Sequence, residues 1–140
     1  MRNATLALDV GSVRIGVAIC EEPSLPPMPL TTIKRTSKAH DFETVLRLAT
    51  ERGADTIVVG YPLRLDGSIG PAAEKIDAFV KGLRGQFHGQ VFVQDERLTT
   101  AAAAKKLRDL DLSGSKRRSH VDELAAVEIL SSYLAHRGRT

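Results

Sequence analysis

Short apolar runs separated by turn residues occupy the first quarter of the chain, and this pattern predicts three strands. Leu6 to Val10 and Arg14 to Cys20 are two such runs, joined by a short glycine-containing hairpin turn. Four prolines between residues 23 and 29 then indicate an extended loop that cannot be helical. Leu30 to Lys34 is predicted as the third strand, so the three strands fit an antiparallel meander.

From residue 41 onward the hydrophobic pattern is that of helices alternating with strands. The apolar positions of Asp41 to Arg52 share one helix face, Thr56 to Gly60 forms a buried strand, and Gly70-Pro71 is typical of a helix start. Val91 to Asp95 is predicted as the fifth strand. The remaining predicted elements are a helix over Thr99 to Leu107, a basic loop over Arg108 to His120 and a final helix over Val121 to His136.

This order of elements predicts an α/β fold with a five-stranded mixed sheet flanked by helices. The first three strands would be antiparallel, and the strands that alternate with helices would be parallel. The 140 residues contain no internal repeat and no linker, so we expect a single domain over residues 1–140. In such sheets, binding sites lie at the carboxyl ends of the parallel strands.

Charge is distributed unevenly along the chain. The net charge is +3 and the hydrophobic content is 42%, which is ordinary for a globular protein. The segment 105–120, however, carries six basic and two acidic residues, so the rest of the chain is close to neutral. Such a patch is typical of a surface that binds nucleic-acid phosphates, and the alternative is a solvated loop.

The cysteine count and the lengths of the apolar stretches indicate the cellular compartment. Cys20 is the single cysteine, which excludes an intrachain disulfide and fits a reducing cytoplasm. The sequence contains no apolar stretch of the roughly 20 residues that span a bilayer, and no signal peptide is expected, so no membrane partner is predicted. The four histidines do not have zinc-ligand spacing.

Asp9 is the first carboxylate that a purely structural role explains poorly. It lies at the end of a strand. Leu6 and Leu8 lie on one face of this strand, and Ala7 lies on the other face together with Asp9. A strand with apolar residues on both faces is expected to be covered on both sides, and a buried carboxylate is costly unless it is paired or binds a metal. The alternative is an Asp that begins the turn by accepting backbone hydrogen bonds.

Two further carboxylates end predicted elements. Asp95 and Glu96 close the fifth strand, and because they are consecutive, only one can point to a given face; the residues alone do not choose between them. Asp122 lies in the first turn of the predicted last helix, on its inward face. The alternative for Asp122 is a favourable interaction with the helix dipole.

Taken together, the carboxylates indicate a site for divalent cations. A mixed sheet could bring the three element ends to one edge, where clustered carboxylates would repel unless cations lie between them. Oxygen ligands suit Mg²⁺ or Mn²⁺ rather than zinc. Two such ions could activate water and stabilise the leaving oxygen in hydrolysis of a phosphodiester.

The chain contains four ordered motifs: Asp9 to Ala18, Val59 to Leu63 with Asp66 to Ser68, Asp95 to Thr100, and Asp122 to Leu130. Together they resemble the YqgF/RuvX family of Holliday junction resolvases and pre-16S ribosomal RNA nucleases. The resemblance runs from about residue 5 to residue 134, nearly the whole chain. Two departures are Val13, where the family often has Lys, and Cys20-Glu21, where it often has Ser-Asp.

The resemblance implies a ribonuclease H-like fold and a nuclease that depends on Mg²⁺ or Mn²⁺. The family's catalytic and metal-binding carboxylates fall on Asp9, Glu96 and Asp122, which selects Glu96 over Asp95. The substrate would be branched DNA or precursor ribosomal RNA, and a homodimer would match the symmetry of a four-way junction. The expected phosphate contacts are Arg14, Arg97, Lys116, Arg117 and Arg118, each of which could instead be a surface cation.

Two other classes of protein share parts of this pattern. A kinase-like ATP-binding protein also places an Asp and a Gly in a hairpin between strands, but that fold needs two duplicated domains, which 140 residues cannot hold. A non-catalytic nucleic-acid or ribosome-associated module of the same fold would be distinguished by a missing carboxylate, and here all three are present.

Overall fold

A computed structural model describes residues 3–96 and 115–137, with the backbone alone for residues 115–120. Five strands form one sheet in the order β3-β2-β1-β4-β5. β1 pairs antiparallel with β2, and β2 with β3, whereas the β1–β4 and β4–β5 pairs are parallel. The predicted mixed sheet is therefore confirmed. The strands are β1 (Ala4–Val10), β2 (Arg14–Cys20), β3 (Met28–Lys34), β4 (Ala54–Tyr61) and β5 (Gln90–Asp95).

Two of the described helices have recognisable signals at their ends, although the first of them begins three residues before the predicted Asp41. α1 (Lys38–Arg52) begins after Ser37, whose side chain accepts a hydrogen bond from the His40 amide, and it stops at Gly53, which has a φ of 67°. α2 (Pro71–Arg84) has its proline in the first turn, where the missing N–H costs nothing. The helix predicted over Thr99 to Leu107 lies outside the described residues.

The last helix begins earlier than its sequence pattern predicted. α3 covers Ser115–Arg137, so the part of the predicted basic loop that follows Gly114 is helical. Between Gly114 and Val121 no Gly or Pro interrupts the chain, and Lys and Arg are good helix formers. Asp122 therefore lies about two turns inside the helix rather than in its first turn. In the described part of the chain, no helix is long and apolar enough to cross a membrane.

The sheet is covered on both faces by separate apolar clusters. The larger cluster packs alternate strand residues such as Leu6, Leu8 and Val59 against α1 and α2. The smaller cluster packs strand residues that point to the other face of the sheet, such as Ala7 and Val58, against α3. The expectation that β1 is covered on both sides is confirmed. One face of the sheet is covered by α1 and α2 and the other by α3, and successive strand residues alternate between these two faces.

Candidate active site

Asp9 lies at the carboxyl end of β1 with none of its surface exposed. Ala7, two residues earlier, packs under α3, and side-chain alternation along the strand puts Asp9 on that same face. Gly16 of β2 is its register partner on one side. On the other side, the register of β1 with β4, extended by one residue, brings Gly60 next to it. A buried carboxylate is thus flanked by two positions that have no side chain.

The space above Gly16 is filled by α3. A Cβ added at Gly16 would collide with the carbonyl oxygen of Asp122 and would lie 3.0 Å from the Asp122 Cβ. Only glycine permits this approach of helix to sheet. The contact fixes the start of the buried part of α3 directly above the strand that neighbours Asp9.

The space above Gly60 is filled by Glu96. A Cβ added at Gly60 would lie 2.7 Å from the Glu96 Oε2 and 2.6 Å from the Ile129 Cδ1. Glu96 is 1% exposed, and its backbone N–H donates to the carbonyl oxygen of Tyr61 at 3.2 Å. The second carboxylate therefore lies over the strand on the other side of Asp9.

Side-chain alternation along β5 distinguishes Glu96 from its neighbour Asp95. Phe92 stacks on Tyr133 of α3, with ring centroids 5.7 Å apart, so the even-numbered residues of this strand point to α3. Glu96 continues that series, whereas Asp95 belongs with the opposite face. The sequence could not make this choice from spacing alone, because both residues end the same strand.

Asp122 has none of its surface exposed and is held by Arg14. The Arg14 Nε donates to the Asp122 Oδ2 at 2.8 Å, and the Arg14 side chain is 20% exposed. Ala126 and Ile129 continue the inward face of the helix and are buried as predicted. Because no acidic residue lies in the first turn of α3, the helix dipole does not account for Asp122.

The three carboxylates fit a divalent cation in the chemistry of their donors. Asp9, Glu96 and Asp122 offer oxygen ligands only, at one edge of the sheet and on one face, and Mg²⁺ and Mn²⁺ prefer such ligands. Among residues 3–96 and 121–137, no three His, Cys, Asp or Glu side chains already have an arrangement that would hold a single ion. Asp122 is instead engaged by a guanidinium.

The predicted phosphate contacts are only partly described. Arg14 has a carboxylate partner at the site, so its phosphate contact stays a prediction. Arg97 lies outside the described residues, and the side chains of Lys116, Arg117 and Arg118 do as well. The structure does show that the backbone of the last three is helical.

A second arginine supports the turn that follows Asp9, and no sequence motif pointed to it. The Arg35 Nη1 donates to the carbonyl oxygen of Gly11 at 2.8 Å, while its Nε donates to the Asp41 Oδ2 at 3.0 Å. This links the β1–β2 hairpin to the first turn of α1. No sequence pattern predicts the Arg35–Asp41 pair. For the carboxylates, by contrast, a signal was present, because a glycine inside a strand, such as Gly16 or Gly60, indicates close packing.

Two groups have raised pKa values, Tyr61 at this end of the sheet and Cys20 at the opposite end, beside the start of β1. The Tyr61 hydroxyl donates to the Asp77 Oδ2 at 3.0 Å, and this hydrogen bond to a carboxylate raises the pKa of the Tyr61 phenol. Burial raises the pKa of the Cys20 thiol, which donates to the carbonyl oxygen of Glu22. Both groups therefore remain protonated at neutral pH.

Comparison with solved structures identifies the fold. Thermus thermophilus RuvC bound to a Holliday junction substrate superposes with a TM-score of 0.57 at 13% identity, covering 97% of this chain and 96% of that one. The fowlpox virus Holliday junction resolvase gives a TM-score of 0.53 at 17% identity, covering 95% and 99%. These likenesses show a ribonuclease H-like fold.

Sequence comparison identifies the family. The family model described as "RuvX: Holliday junction resolvase" matches residues 3–136, and the chain belongs to this family of nucleases. A Clostridium perfringens protein named "Putative pre-16S rRNA nuclease" is 40% identical over 129 residues, which is 92% of this chain and 94% of that protein. A Clostridium botulinum protein of the same name is 39% identical over the same extent.

Proposed function

We propose that this protein is a divalent-metal-dependent endonuclease whose catalytic residues are Asp9, Glu96 and Asp122. The observation that carries the proposal is the burial of these three carboxylates on one sheet face, above or beside two glycines that leave room for them. Residues 1–140 would act as a single nuclease domain in the cytoplasm. The alternative, a binding module of the same fold without catalysis, does not require buried acidic groups.

Each carboxylate would contribute to holding the cation from a different element. Asp9 is placed by β1, Glu96 by the end of β5 and Asp122 by α3, so the site depends on the whole sheet being assembled. When bound, Mg²⁺ or Mn²⁺ would supply Lewis acidity for an attacking water and for the leaving oxygen of a phosphodiester. Arg14 would orient Asp122 and present its exposed part to the substrate phosphate.

The basic residues would position the nucleic acid rather than cleave it. Arg14 follows Asp9 by five residues and Arg97 follows Glu96 directly. Lys116, Arg117 and Arg118 lie one to two turns before Asp122 in α3. Contacts from such cations to phosphates carry affinity without sequence preference. A structured nucleic acid recognised by its backbone fits this arrangement.

Cleavage assays with isosteric variants test the proposal. Asp9→Asn, Glu96→Gln and Asp122→Asn should each abolish cleavage in Mg²⁺ and in Mn²⁺ while the protein stays folded. Asp95→Asn is the matched control, because it removes a carboxylate from the adjacent position on the opposite face and should leave cleavage intact. Full activity of the Asp9→Asn protein would exclude the proposed site.

Precursor 16S ribosomal RNA is the first substrate to test, because the relatives at 39–40% identity carry that name. Four-way junction DNA is the second, supported by the family description. Oligomeric state separates them, since a junction has two equivalent strands and calls for a two-fold dimer, whereas a hairpin RNA needs only a monomer. Light scattering with and without junction DNA, together with cleavage of both substrates, would decide between them.

A further inference from the structure

A large cavity lies on the sheet face opposite the carboxylates. Its volume is about 840 Å³, and it opens between α1, α2 and the turn after β1. Phe42, Ile76 and Phe79 form its apolar floor, and the two phenylalanine rings pack against each other with centroids 5.0 Å apart. Cavities of this size commonly hold small organic molecules.

The rim of this cavity is positively charged. Lys38 of α1 and Lys75 of α2 line it together with Arg35. The Arg35 guanidinium is neutralised by Asp41, whereas neither lysine forms an ion pair with another described residue. No acidic side chain is among the described lining residues. The unneutralised charge of the cavity is therefore that of the two lysines.

We propose that this cavity binds a nucleotide, with the base against the apolar floor and the phosphate between Lys38 and Lys75. A planar base can occupy the apolar space that Phe42, Ile76 and Phe79 line, and an anion matches the lysines. The nucleotide could be free or could be the unpaired end of a nucleic-acid strand. Both sources present the same base-and-phosphate chemistry.

The proposal does not depend on the nuclease assignment. Asp9, Glu96 and Asp122 do not line the cavity, because they lie on the α3 face of the sheet. The last residue of β1, Val10, and the first residue of the following turn, Gly11, nevertheless border the cavity. A strand end held here would be close to the carboxylate edge without entering it.

Binding is measured by calorimetry at low salt, with EDTA present, using adenosine monophosphate as the probe and inorganic phosphate as the reference ligand. Lys75→Glu should weaken nucleotide binding by about tenfold or more, the effect of removing one charge-assisted hydrogen bond. Lys81→Glu is the matched control, because it makes the same charge change on α2 outside the cavity. Ala78→Phe, which fills the cavity without changing charge, should also weaken binding.

The outcomes separate this proposal from the proposed catalytic site. Asp9→Asn should bind the nucleotide as the unmodified protein does; loss of binding in that variant would place the ligand in the carboxylate cleft and overturn the proposal. The proposal would also be overturned if adenosine monophosphate bound no more tightly than inorganic phosphate. It would be overturned as well if the Lys75→Glu and Lys81→Glu variants bound adenosine monophosphate with equal affinity. A 5′-phosphorylated trinucleotide that binds more tightly, with the same sensitivity to Lys75→Glu, would assign the site to a strand end, and a weaker one to a free nucleotide.

Discussion

Arg14 donates from Nε to Asp122 Oδ2 at 2.8 Å, which joins β2 to α3 across 108 residues of sequence. The carboxylate is fully buried and the arginine is 20% exposed, so this pair is only weakly screened by water. Its removal would leave a buried acidic group without its arginine partner, which costs far more than the loss of a surface pair.

The first prediction follows from this contrast. Arg14→Gln should lower the free energy of unfolding by about 1.5–3 kcal/mol, the usual range for a hydrogen bond to a charged group. Arg47→Gln is the control, because the Arg47–Glu51 pair is separated by 3.9 Å and both side chains are about 60% exposed; it should change stability by less than about 0.5 kcal/mol. Urea unfolding measures both, and equal effects would contradict the prediction.

The second prediction concerns the glycine beneath Glu96. Gly60→Ala would force its Cβ to within 2.7 Å of the Glu96 Oε2 and 2.6 Å of the Ile129 Cδ1. We expect a loss of about 1–3 kcal/mol in stability, as for other overpacked sites, together with a loss of cleavage, because the carboxylate must move. Thermal melting and a cleavage assay test the two effects separately.

Gly85→Ala is the matched control for that substitution. Gly85 ends α2 with a φ of −69°, and a Cβ there meets its nearest atom at 3.4 Å. The backbone conformation suits alanine, so stability should stay the same or rise by about 0.4–1 kcal/mol. If both glycine variants melted alike, crowding at Glu96 would not be the cause.

How far the sequence predicted the structure depends on the range of the interaction involved. Strand and helix positions follow from local periodicity and turn residues. The observed ends of β2 and the start of α2 at Pro71 were therefore predicted. The start of α3 was predicted wrongly, because the basic residues after Gly114 were interpreted as a loop although they favour helix. The pattern of apolar residues shows which part of a helix packs against the sheet, but it does not show at which residue the helix begins.

The site was predicted less completely than the fold. Burial of Asp9 could be expected from the apolar residues on both faces of β1. Glu96 required the resemblance to a family, because consecutive residues at a strand end differ only in the face that they occupy. The pairing of Arg14 with Asp122 and of Arg35 with Asp41 depends on tertiary packing, which no local pattern encodes.

The third prediction concerns the thiol of Cys20. Burial raises the pKa of this thiol, and 3% of the residue is exposed, so both the thiolate fraction and the access of a reagent are reduced in the native protein. Alkylation by iodoacetamide at pH 8 should be much slower in the native protein than in urea. The native rate should still rise as pH increases above 9, since the raised pKa is then approached. Equal native and unfolded rates would contradict the burial of this side chain.

The fourth prediction concerns the basic residues at the start of α3. Replacing Lys116–Arg118 by alanine should reduce the slope of log affinity against log salt by roughly 0.7–0.9 for each phosphate that the protein no longer neutralises. Binding of nucleic acid is measured over a salt series with the Asp9→Asn protein, so that no cleavage occurs. Alanine at Arg47, Arg52 and Lys81 removes the same charge from α1 and α2. An equal change of slope in both triple variants would indicate general charge rather than phosphate binding by α3.

The last prediction concerns divalent cations and stability. A ligand that binds only the folded protein stabilises it by about 2.7 kcal/mol at a concentration 100 times its dissociation constant. For a chain of this size, each kcal/mol raises the melting temperature by about 2–4 °C, so saturating Mg²⁺ or Mn²⁺ should raise it by roughly 5–10 °C. In Asp9→Asn the rise should be lost, because one anionic ligand is removed, whereas Asp95→Asn should keep it. Calorimetric melting in EDTA and in excess metal measures the difference. An equal rise in the Asp9 and Asp95 variants would mean that the cation binds elsewhere on the protein.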